Sequence, residues 1–112
     1  MSEERRISDR IDTPSGQIHV FDRMIGEEIG TVANISTTGF MLVADRHVEV
    51  DSIFQLRLLT SDTQEEFSLG AICLWNSDAS AANTFWAGFH IIDISEETLS
   101  RLDKLIAPQY GG

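Results

Sequence analysis

Two groups of residues in this chain carry charge and hydrogen-bonding capacity in an arrangement suited to a polar ligand. Arg5, Arg6 and Arg10 fall within its first ten residues. Asn34-Ile35-Ser36-Thr37-Thr38-Gly39 lies between the apolar runs Ile29–Ala33 and Phe40–Ala44. A guanidinium fork pairs bidentately with a phosphate or with the O6 and N7 edge of a guanine, and it also stacks on purine faces. An amide and a hydroxyl suit a purine edge, while a glycine lets a ligand approach the backbone. Together the groups make a candidate nucleotide clamp, in which an N-terminal arm closes over a loop. Each has a plainer reading when taken alone. Ser, Asn and Gly close turns by bonding their own backbone or accepting a positive φ, and an arginine tail aids solubility.

Other chemistry has less support. His19, His47 and His90 are isolated, without metal-ligand spacing. Cys73 is the single cysteine and sits in an apolar run, as a buried inert thiol would. No serine occupies a nucleophile elbow, and no glycine-rich phosphate loop precedes a helix. The pairs Glu27-Glu28, Glu65-Glu66 and Glu96-Glu97 read as solvated charges at turns or at a helix start. We therefore expect no enzyme activity, no catalytic or metal-binding residues and no cofactor. The net charge of -10, from 18 acids and 8 bases, repels nucleic acid and anionic lipid, so neither is an expected general partner. A guanidinium cluster can still hold a small anion on such a surface, because its contacts are short-range and directional. No apolar run reaches membrane-span length and the N-terminus lacks a signal-type segment, which makes the cytoplasm the expected location.

At 112 residues the chain is expected to form one domain. Short runs rich in β-formers predict six strands: Gln17–Phe21, Ile29–Ala33, Phe40–Ala44, Ile53–Leu59, Phe67–Trp75 and Phe85–Ile92. In the fourth, Phe54, Leu56 and Leu58 should point inward. In the fifth, Phe67, Leu69, Ala71, Cys73 and Trp75 share one face and Ile72 and Leu74 the other, as in a strand covered on both sides. The period then changes. Ser95 is the expected N-cap of a helix with Glu96 and Glu97 in its first turn, an apolar stripe of Leu99, Leu102, Leu105 and Ile106, and Pro108 as its stop. This helix is the expected cover for the second face of the fifth strand. The boundaries are a flexible arm over 1–15, a barrel with helix over 16–107 and a tail over 108–112.

Arg5-Arg6-Ile7-Ser8-Asp9-Arg10, followed by Asn34-Ile35-Ser36-Thr37-Thr38-Gly39-Phe40, resembles the PilZ domain, whose paired motifs are RxxxR and D/NxSxxG. Trp75, Gly88-Phe89 and Asp93-Ile94-Ser95 extend the resemblance over nearly the whole chain. It implies an all-β fold, a six-stranded antiparallel barrel with a C-terminal helix, and it implies binding of the second messenger cyclic di-GMP. Carried over by motif, Arg6 and Arg10 would grip phosphate and guanine. Asn34 and Ser36 would read the other guanine edge, and Gly39 would shape the loop. Arg5, preceding the first motif arginine, looks like the variant that accommodates a stacked ligand dimer. The implied function is a receptor that orders its arm on binding and signals to an unidentified effector protein. The alternative is a ligand-independent adaptor in pilus or motility assembly, as in family members that lack the motifs.

Overall fold

Alternating side chains decide which side of each strand faces inward, and the backbone closes into a barrel on that basis. The computed structural model describes residues 11–12, 18–79 and 83–111, with side chains over 18–79 and 83–106. Its strands are β1 (Ile11–Asp12), β2 (Ile18–Asp22), β3 (Glu27–Ile35), β4 (Gly39–Ala44), β5 (Ile53–Thr60), β6 (Glu66–Asp78) and β7 (Phe85–Asp93), followed by helix α1 (Glu96–Gly111). Strands β2 to β7 pair antiparallel in the order β3-β2-β5-β6-β7-β4, and β3–β4 pairing closes the ring. This is the expected six-stranded barrel. The two-residue β1 is added on β3 and lies inside the segment expected to be an arm. The remainder of that segment, residues 1–10 and 13–15, lies outside the described residues.

Ile18, Val20, Leu42, Leu56 and Leu58 fill the interior, where Phe40 stacks on Phe89 at 5.1 Å between ring centroids. The simple alternation fails in two strands, in each case at a bulge. β3 buries Ile29, Val32 and Ile35, a spacing of three. Its register shifts once against β2 and once against β4, so extra residues reset the inward phase. β6 buries Phe67, Leu69, Ala71 and Cys73 as expected, but Trp75 does not join them. Cys73 pairs with Phe89 and Trp75 with Gly88, which leaves Leu74 as an extra residue and turns Trp75 to the outer face. Burial pushes the Cys73 thiol above its ordinary pKa.

Helix α1 starts as expected: the Ser95 hydroxyl accepts a hydrogen bond from the Thr98 amide at 3.1 Å. Leu102 and Ile106 enter the core, with Leu105 packed against it. Arg101 lies over the Phe67 ring at 4.6 Å and donates to the Glu66 carbonyl at 2.8 Å. The helix therefore covers the barrel end near the start of β6 rather than the outer face of that strand, and Leu74 there is 54% exposed. A second correction concerns Pro108, because the helical backbone continues to Gly111. A proline removes one N–H donor, and the residues that follow can still donate to carbonyls four positions back.

Candidate functional site

The connection from β3 to β4 is a tight loop held by one buried hydroxyl. Ile35 pairs with Phe40, and the Ser36 amide donates to the Gly39 carbonyl at 2.8 Å. The Ser36 hydroxyl, in a residue only 5% exposed, accepts from the amides of Thr38 and Gly39 at 3.2 Å each and lies 3.2 Å from the Gly39 carbonyl as donor. A hydroxyl has one proton and two lone pairs, so these bonds occupy its capacity within the loop. The Thr38 carbonyl accepts from the Ile91 amide at 2.8 Å, which fixes the loop to β7. Gly39 is required by close approach: a Cβ there would run into the Phe89 carbonyl oxygen.

Strand register places Asn34 in a row across the outer wall. Asp12 pairs with Asn34, Asn34 with Met41, Met41 with Gly88, and Gly88 with Trp75. Directly paired residues project to the same face. The flanking Ile35, Phe40, Phe89 and Cys73 are buried, so the row containing Asn34, Met41 and Trp75 is the outward one. From Asn34 to Trp75 there are three inter-strand steps of about 4.8 Å, roughly 14 Å in all. The Trp75 indole lies against Gly88, where any Cβ would overlap Nε1, Cε2 and Cδ1. A glycine at this point lets the aromatic plane settle on the wall.

Of the six residues expected at the site, Asn34, Ser36 and Gly39 come together on this loop and its strand ends. Arg5, Arg6 and Arg10 lie outside the described residues. Arg10 is bonded to Ile11, and Ile11 pairs with Ile35, next to Asn34. Three of the remaining bases are committed elsewhere. Arg46 pairs with Asp45 and Glu27, Arg57 with Glu66, and Arg101 approaches Glu65. Trp75 and Met41 were not among the expected site residues. Trp75 and Gly88 are 13 positions apart in the chain, and only the bulged register reveals that they touch.

Among the described residues there is no group of three or more His, Cys, Asp or Glu that could hold a metal. No helix among them is long and apolar enough to cross a membrane. The closed antiparallel barrel, the hydroxyl-held hairpin loop and the N-terminal strand laid beside it define a particular class of small barrel domain. The chain belongs to the PilZ domain family, which matches residues 4–107, a span that includes all six expected site residues.

Solved structures share this fold. The PilZ domain of YcgR from Escherichia coli, solved with c-di-GMP, superposes with a TM-score of 0.70 at 14% identity, covering 88% of this chain and 86% of that one. The Bacillus subtilis inhibitor of motility MotI/DgrA gives 0.68 at 14% identity, covering 89% of this chain and 48% of that one. The PlzA protein of Borreliella burgdorferi, in complex with c-di-GMP, gives 0.55 at 15% identity, covering 98% and 57%. The chain thus spans about half the length of MotI. No curated protein sequence matches it.

Proposed function

We propose that this protein is a cyclic di-GMP receptor whose N-terminal arginines close over the β3–β4 loop and whose liganded state is read by a partner protein. The observation that carries this reading is the pairing of β1 with β3 at Ile35 and Asn34. It sets Ile11, the residue that follows Arg10 in the chain, beside the strand that bears the amide, which supports a clamp shared by the two motifs. Arg6 and Arg10 would hold phosphate and guanine, with Arg5 accommodating a second, stacked ligand. Asn34 would read a guanine edge, and Ser36 and Gly39 would hold the loop that presents it. The outer row ending in Trp75 adds an aromatic face within reach of a dinucleotide. The YcgR and PlzA structures, both in complex with c-di-GMP, support this choice of ligand.

Calorimetric titration with cyclic di-GMP tests the reading and reports stoichiometry. Each charge-assisted hydrogen bond contributes about 1.5–3 kcal/mol, so Arg6→Ala or Arg10→Ala should weaken binding at least about tenfold. Asn34→Ala should reduce discrimination against other cyclic dinucleotides more than it reduces overall affinity. Wild-type affinity in both arginine variants would overturn the clamp. Absence of heat and of any chemical-shift change in the loop would favour a ligand-independent adaptor.

A further inference from the structure

At the barrel end opposite α1, a groove of about 380 Å³ runs between the β2–β3 hairpin and the start of β5, with Ile25, Val48, Ile53 and Phe54 among its lining residues. Around it, Met24 is 76% exposed, Ile25 56% and Ile53 61%, with Val50 also exposed. Nothing in the fold demands this. Met24 and Ile25 occupy a hairpin tip whose reversal is made by Gly26 at φ 72°, where polar residues would serve equally well. Exposed apolar side chains gathered around a concavity mark an interaction surface.

The surrounding charge selects the occupant. Glu27, Asp45, Glu49 and Asp51 are exposed on this end, against Arg23 and Arg46. Arg46 is already held by Asp45 at 2.7 Å and Glu27 at 3.0 Å. The rim is therefore net acidic around an apolar floor. The geometry points to a docking site for a cationic segment of a partner protein, one with aliphatic side chains set between lysines or arginines. A second copy of this chain would bring its own charge of -10 to an acidic rim, and anionic lipid or nucleic acid would meet the same repulsion. The groove and the β3–β4 loop lie at opposite ends of the strands, so the inference stands independently of the cyclic di-GMP reading.

The test is methyl NMR on the full chain, titrated with a synthetic amphipathic peptide of about twelve lysines and leucines. Its counterpart, with glutamate in place of lysine, serves as control. We expect shifts centred on the methyl groups of Met24, Ile25, Val48 and Ile53, weakened by added salt. Ile25→Asp and Ile53→Asp should each weaken binding about tenfold or more, and both positions are exposed enough for the variants to fold. Leu74→Asp, on the outer wall of β6, should leave binding unchanged. Equal binding of the glutamate peptide would overturn the proposal. So would shifts centred on Leu74 and Ile92, unchanged affinity in both isoleucine variants, or concentration-dependent shifts of the groove methyls without peptide, which would indicate self-association.

Discussion

Ser36→Ala separates a side chain that holds the loop from one that touches ligand. The substitution removes the acceptor for the Thr38 and Gly39 amides, each at 3.2 Å, near the long end of the N–H···O range. Thr38 is exposed, so water can replace its lost bond at small cost. Gly39 is buried, and an unsatisfied buried amide costs about 1–3 kcal/mol. Taking the lower half of that range because of the distance, and adding the weaker bond, gives about 2 kcal/mol. An unfolding entropy of about 2.1 cal/mol/K per residue over 112 residues gives about 0.24 kcal/mol/K. The expected fall in Tm is thus about 8 °C. Differential scanning calorimetry supplies Tm, and titration well below it supplies the affinity for cyclic di-GMP. If the hydroxyl acts through the loop, stability should fall by this amount while Kd rises only a few-fold. An unchanged Tm with affinity reduced about thirtyfold, the equivalent of 2 kcal/mol, would refute the reasoning and make Ser36 a direct contact.

Gly88→Ala should displace the Trp75 indole from the wall, visible as a change in its indole N–H resonance, and should weaken cyclic di-GMP binding if the aromatic face takes part. Phe40→Ala removes a ring 1% exposed and stacked on Phe89, and denaturant titration should show a loss of about 3–5 kcal/mol. That is a large share of the roughly 5–15 kcal/mol that holds a domain folded. Cys73 should react with iodoacetamide far more slowly in the native chain than in urea, because burial both shields the thiol and raises its pKa. Equal rates in the two states would contradict the packing of β6.

Local patterning carried most of the architecture. Ile18 and Val20, Leu56 and Leu58, and the Leu102–Ile106 stripe were legible because burial of one face imposes a period of 2 on a strand and 3.6 on a helix. The Ser95 cap was legible because its hydroxyl needs only the amide three residues on. The two motifs were also plain in sequence, where their residue types, spacing and order carried the resemblance to the PilZ domain. Three features depended on contacts between distant segments. The bulge opposite Gly88 turned Trp75 outward, a one-residue change in register that no periodicity encodes. The seating of α1 at the barrel end left the outer face of β6 uncovered, since an amphipathic stripe specifies that a helix is buried but not against what. Finally, the pairing of Ile11 and Asp12 with Ile35 and Asn34 set β1 beside the end of β3. From the sequence alone, Arg10 and Asn34 were two motifs separated by 24 positions. The pairing of Ile11–Asp12 with Asn34–Ile35 rests on backbone hydrogen bonds between distant segments, a match that no local pattern encodes.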